Sequence, residues 1–423
     1  MKNQVFFTII VGIFLVLRFT ASAQQIEDFP IFKMEEFHGR DGLPNVFHKI
    51  NNRRQVRIAY IGGSITEARE GWRDLTFSWF RLNFPYTAFF QTNATIGGTG
   101  SDLGVFRMER DVLVHKPDLL FVEFAVNDSG KERIALLKSM EGLVRKAWAA
   151  DPEMDICFVY TTAEIFCDDL VNGKQQHAVT VMEEVADYYG IPSIHMGLEI
   201  ARLYAQKKLV LSADPSENAN TIVFTKDRTH PLPESGHPLY GHIAAKYLEK
   251  MSRSPGAKIH TLSTPYVQAN WENASFVDAS KAMLQGNWQK LTADDKVYKQ
   301  FEHSLPALYR GKPGAVMEFT FKGTDLGFYD CVGPGTGVIE ITVDGTSLER
   351  YRFDQWCDNY RKNSFMIGPL ADGIHHVTVK VTGKPIDKGE ILKKKNIKID
   401  DPAKYKELDW YPADIMIVGE LIQ

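Results

Sequence analysis

The chain has 423 residues, 44% of them hydrophobic and 24% charged, with a formal net charge of −4. That composition is the one of a folded globular protein and excludes collagen-like, low-complexity and disordered classes, while the length exceeds a single hydrophobic core and points to two domains. The acidic balance lacks the basic footprint by which proteins bind nucleic acid or anionic membrane surfaces.

Residues 1–23 read as an export signal. Lys2 is a short positive n-region, "VFFTIIVGIFLVL" an apolar h-region, and "ASA" before Gln24 a small-residue cleavage site. The apolar run is shorter than the ~20 residues a membrane span needs, so cleavage after Ala23 and no stable membrane insertion are expected. Cleavage removes Lys2 and Arg18 and leaves 47 basic against 53 acidic residues, a formal charge of −6. The mature chain is then expected in the periplasm or outside the cell, where disulfides are permitted. Cys157, Cys167, Cys331 and Cys357 either pair, 157 with 167 and 331 with 357, or are buried free thiols.

From Gln55 to about Lys250 short apolar runs alternate with helical patterns. "VRIAYIG", "DLLFVEFA", "DICFVYT" and "IPSIHM" are bounded and mostly apolar, as strands covered on both faces are. Between the second and third, "RIALLKSMEGLVRKAWAA" carries Leu137, Met140, Val144 and Trp148 at helical spacing. This alternation predicts an α/β/α sandwich around a parallel sheet. The texture changes across "SRSPGAKIHTLSTP". Beyond it Met317, Phe319 and Phe321, then Ile339, Ile341 and Val343, then Val377, Val379 and Val381 alternate with polar neighbours, and turns such as "GPGTG" and "ADG" separate the runs. An all-β, jelly-roll-like sandwich fits. The expected organisation is a signal at 1–23, an α/β domain at 24–262 and a carbohydrate-binding-like β-sandwich at 263–423. The run Lys393 to Lys395 reads as a solvated loop.

Four stretches carry candidate chemistry. "YIGGSITEAREGW" closes the first strand with two glycines and Ser64, at the sheet edge where open α/β folds place ligands; a helix N-cap is the other use of such a serine. "NATIGGTGSDLG" is a Gly-rich loop able to bring backbone N–H groups close to a ligand. "FVEFAVND" ends a strand with Asn127. "DRTH" offers Asp227 and His230 within three residues, before "HPLYGHIAAKYLEK", which reads as a helix. In this order the stretches resemble the four blocks of the SGNH hydrolases, also called the GDSL esterases: "GGSIT", "NATIGG", "AVND", and "DRTHP" continuing to "SGH". The resemblance spans Val56 to Tyr247. It departs at Gly63, where many members carry Asp, and at Ala125, where many carry Gly.

The resemblance implies a serine esterase that needs no cofactor and no metal. Ser64 would attack an ester carbonyl, His230 would take its proton and Asp227 would orient the imidazole. The Ser64 and Gly98 N–H groups and the Asn127 side-chain amide would receive the oxyanion. Export with a companion sandwich looks like the carbohydrate esterases of this family, so the expected partner is an acylated carbohydrate, O-acetyl first. A lipid or thioester hydrolase or an acyltransferase of the same fold remains a second reading, and a non-catalytic glycan-binding protein a third. Trp271, Trp288, Trp356 and Trp410 would either stack on sugars or fill the sandwich core. His237 and His242 lie about 140° apart on their helix and do not converge on a metal; they read as a packing and a surface residue. His375 and His376 point to opposite faces of a strand.

Overall fold

The computed structural model describes residues 34–217, 221–253, 256–302, 304–399 and 401–422, so the expected export signal lies outside the described residues. Six strands form one sheet in the order Phe37–His38, Ser193–His195, Asp155–Tyr160, Leu119–Glu123, Val56–Gly62, Phe89–Thr95. Neighbours are parallel except at the edge, where Phe37–His38 runs antiparallel to Ser193–His195. Successive side chains of the central strand enter different cores. Ala59 and Ile61 pack with the helices Arg133–Ala150 and His177–Tyr189, whereas Ile58 and Tyr60 pack under Trp72–Asn83 and Gly236–Met251. Period 2 with helices on both faces turns the strand into a continuous apolar run. The α/β/α layer expected from the sequence is the one observed.

The chain order positions a crevice. After Val56–Gly62 the next strand, Phe89–Thr95, adds on one side, and the one after it, Leu119–Glu123, adds on the other. Such a reversal opens a gap outside the carboxyl ends of the strands. Gly62 is level with Thr95 on one flank and Glu123 on the other. The segments following all three strands therefore emerge side by side.

The C-terminal layer is all antiparallel, in the order Thr346–Tyr351, Val338–Val343, Gly373–Val381, Val316–Val332, Tyr411–Leu421, Ala274–Asp278. Its longest strand, the 17 residues Val316–Val332, pairs first with Gly373–Val381 and then with Arg361–Ile367. Register shifts at Gly323/Asp325 and Tyr329/Asp330 let it bend between the two halves of the sandwich. The nine period-2 residues named above all enter one core. A second surface of the sandwich, with Trp271, Tyr329, Met416 and Val418, joins the cluster of Leu103, Phe106, Met140 and Leu143, so the two layers share apolar packing. The connecting segment is pinned too: His260 stacks on Trp148 with centroids 4.6 Å apart, and its Nε2 lies 2.9 Å from Asp155 Oδ1.

Several local expectations meet particular outcomes. All four cysteines are buried free thiols. Trp271 and Trp410 are buried, Trp288 is half-buried, and Trp356 is exposed beneath the Lys395 ammonium, 4.1 Å from its ring. His375 is buried against Phe321 and bonded to Asp344 at 2.6 Å, while His376 on the other face is exposed. The lysine run differs from expectation: Lys393 ends a helix, Lys388–Lys393, whose N-cap Asp387 accepts the Glu390 N–H. The three lysines are nonetheless exposed.

Candidate active site

The turn that presents Ser64 is built by the glycine before it. Gly63 is extended, φ −91° and ψ −158°, and its carbonyl accepts the Glu67 N–H at 2.9 Å, so Gly63 caps the short helix Ser64–Glu67. Ser64 is the first helical residue rather than the N-cap, and its hydroxyl remains free for other partners. Beneath it, Thr66 Oγ1 donates to Glu123 Oε2 at 2.7 Å, and Thr161 donates to Glu123 Oε1 at 2.7 Å. Burial raises the Glu123 pKa, opposed by these two hydroxyls. Trp72 Nε1 donates back to Thr66 at 3.2 Å. The turn is thus braced from the neighbouring strand.

His230 arrives from the loop after the strand Ile222–Thr225. Asp227 Oδ1 accepts the N–H groups of Thr229 at 3.0 Å and His230 at 2.8 Å, a side-chain-closed turn with Arg228 at φ +72° between them. This folding brings the imidazole over its own carboxylate: His230 Nδ1 lies 2.6 Å from Asp227 Oδ2. His230 Nε2 lies 2.8 Å from Ser64 Oγ. The network assigns Nδ1–H as donor to the carboxylate and Nε2 as acceptor from the serine. Partial burial pushes the Asp227 carboxyl up, but the His230 N–H and imidazole and the Thr229 N–H outweigh it and hold the group well below the usual carboxylate range. Both side chains are about half exposed, 47% for His230 and 57% for Asp227, so the site opens directly to solvent.

Three donors lie on the segments that follow the three adjacent strand ends. Ser64 N–H, Gly98 N–H and the Asn127 side-chain amide have no acceptor among the described residues. Gly98 sits at φ +71°, in the left-handed region that favours glycine. The Asn127 amide lies across Gly63 so closely that a Cβ there would be 2.1 Å from Asn127 Oδ1. A side chain at position 63 would need the volume that the Asn127 amide fills. Of the remaining imidazoles, His237 is buried and accepts the Trp72 N–H at 3.2 Å, and burial and then nearby His230 push it down to about 4. His242 is exposed.

Three carboxylates around the site escaped the sequence reading: Glu67, Glu123 and Asp128. "SITE" matches the Ser-x-x-Glu pattern of a capping box, but Glu67 reaches Gly97 N–H instead, at 2.8 Å. A cleft of about 550 Å³ adjoins two of these donors but not Ser64, Asp227 or His230; it is lined by Gly98, Asn127 and Lys131 from the α/β layer and by Tyr360, Lys362 and Ser364 from the sandwich. A larger groove of about 740 Å³, lined by Glu109, Lys146 and Lys322, contains none of the triad or donor residues. No group of three or more His, Cys, Asp or Glu side chains among the described residues is placed to hold a metal ion.

No protein family and no curated protein matches the chain. Two crystal structures of a two-domain esterase (CEX) active on acetylated mannans do, with a TM-score of 0.70, and 0.68 for the form co-crystallized with mannopentaose. Each is 20% identical over 90% of this chain, and the matches cover 98% and 97% of those chains. The likeness extends over both layers and is one of fold: an α/β/α layer carrying a C-terminal β-sandwich.

Proposed function

We propose that this chain is an exported serine esterase that removes O-acetyl groups from a carbohydrate. The observation that carries the reading is the His230 imidazole held between Asp227 at 2.6 Å and Ser64 at 2.8 Å. In the first step His230 Nε2 takes the hydroxyl proton while Ser64 Oγ bonds to the ester carbonyl carbon. The oxyanion that forms accepts the free N–H groups of Ser64, Gly98 and Asn127. Collapse breaks the bond to the sugar oxygen, which leaves with the proton from His230. Water, deprotonated by the same imidazole, then releases acetate from the acetyl-serine.

A carbohydrate substrate is supported by the two-layer likeness to esterases active on acetylated mannans, and by sandwich residues walling the cleft beside the donors. The expected export signal would bring the enzyme to polymers outside the cytoplasm. Half-exposed His230 and Asp227 favour water as the second acceptor over a sequestered acyl acceptor. The test is acetate release from acetylated mannan, xylan and pectin by wild type and Ser64→Ala. The variant should fold normally and retain less than about a hundredth of the activity. Retention above that level, or acetyl transfer to a sugar without acetate release, would overturn the reading.

A further inference from the structure

The glycine loop between Ile96 and Ser101 is gripped at both ends by carboxylates from other blocks of the site. At one end Glu67, on the helix that begins with Ser64, accepts the Gly97 N–H at 2.8 Å. At the other, Asp128, the residue after Asn127, accepts the Ser101 N–H through both oxygens, at 3.1 and 3.2 Å. The fit is close on both sides. A Cβ at Gly97 would lie 2.6 Å from Glu67 Oε2, and one at Gly100 would lie 2.0 Å from Asp128 Oδ1. Between the two grips the Gly98 N–H has no acceptor among the described residues.

We infer that Glu67 and Asp128 are positioning residues, which clamp the glycine loop so that the Gly98 N–H is held toward the crevice beside Ser64 and Asn127. The clamp joins three strand ends: Glu67 follows the strand Val56–Gly62, the loop follows Phe89–Thr95, and Asp128 follows Leu119–Glu123. A donor aimed before reaction costs no reorganisation as the oxyanion forms, and a loop of glycines would not hold that aim alone.

The surroundings of the two carboxylates differ. Glu67 is exposed and faces Lys362 of the sandwich at longer range. Asp128 is fully buried, with Lys131 Nζ 3.7 Å away and Asp102 bonded to the same ammonium. Burial pushes the Asp128 carboxyl up to about 7, in spite of Lys131 and Ser101. A carboxylate so expensive to ionise where it sits is a poor choice for stability alone.

The inference rests on the esterase reading above, and its test separates the two. Glu67→Ala, Glu67→Gln and Asp128→Asn are compared with wild type on 4-nitrophenyl acetate and in binding of phenylboronic acid, whose tetrahedral anionic adduct occupies the oxyanion position. Glu67→Ala should lower kcat by about 10- to 100-fold with KM within about twofold, less than the 10²–10³ of losing a donor outright, and weaken boronate binding in proportion. Glu67→Gln, whose Oε1 accepts the same N–H, should recover to within about threefold of wild type by the same logic. Asp128→Asn can satisfy Ser101 with only one oxygen and should fall between them. Unchanged kcat and boronate affinity in Glu67→Ala, or a loss of thermal stability alone, overturns the clamp. Because Glu67 is exposed, that variant does not depend on tolerance of a buried change. Full activity of Ser64→Ala in the same assay would instead sink the underlying reading.

Discussion

Gly63→Ala is the sharpest perturbation the site offers. The backbone there is extended, φ −91° and ψ −158°, a conformation open to alanine, so the substitution brings no backbone strain. Its effect is steric and falls on one residue. The added methyl would sit 2.1 Å from Asn127 Oδ1 and 2.8 Å from its Cγ. Ordinary carbon–oxygen contact needs about 3.4 Å, so the amide must retreat by more than about 1 Å. A misplacement of that size at a reacting centre costs on the order of 10²-fold, and complete loss of an oxyanion donor about 10²–10³-fold, or about 3–4 kcal/mol. We therefore expect kcat on 4-nitrophenyl acetate to fall by about 10² with KM little changed, and circular dichroism and melting temperature to stay near wild type. Asn127→Ala should fall as far, and the double variant no further, because both changes remove the same donor. A Gly63→Ala enzyme with kcat within about threefold of wild type would refute the assignment of Asn127 as an oxyanion donor.

The triad and the buried imidazole make two further predictions about pH. Asp227 stays ionised throughout the working range because its carboxyl is held low, so it should add no inflection to the kcat/KM profile above about pH 4; an acid limb there that titrates as the Asp227 carboxyl would contradict this. Asp227→Asn, which reverses the imidazole tautomer, should lose about 10⁴ in kcat with unchanged unfolding. His237 is pushed down to about 4 from 6.5 by burial and then by His230, so its contribution to stability is present above 6.5 and is lost as pH falls through about 4. Unfolding in urea should show up to about 3 kcal/mol lost over that window from this group, and His237→Gln should remove that component; an identical pH dependence in both proteins would contradict it.

What the sequence determined was local or periodic. The strand Val56–Gly62 and the sandwich runs around Phe319, Ile341 and Val379 were legible because period 2 and apolar continuity follow from backbone geometry and burial. The proximity of Asp227 to His230 was legible for a similar reason, since three residues in a turn cannot carry them far apart. The order of the four blocks, with its resemblance, named Ser64, Gly98 and Asn127 as the remaining candidates. What only the tertiary structure decided was every relation between strand ends. Ser64 and His230 are 166 residues apart in sequence and 2.8 Å apart in space; level registers at Gly62, Thr95 and Glu123 bring the Ser64 turn beside the glycine loop and Asn127, and the strand Ile222–Thr225, paired in a separate two-stranded sheet, delivers His230. The need for glycine at 63 was invisible because the atom it avoids belongs to Asn127, in the turn after the strand Leu119–Glu123. Glu67 escaped notice because the partner the fold gives it, the Gly97 N–H, is 30 residues away. Even the lysine run at 393–395, read as loop for its charge, was drawn partly into a helix by Asp387 capping and burial of Leu392. Composition and period report what a segment buries, whereas packing between segments decides which side chains meet, and the candidate chemistry of this chain resides in those meetings.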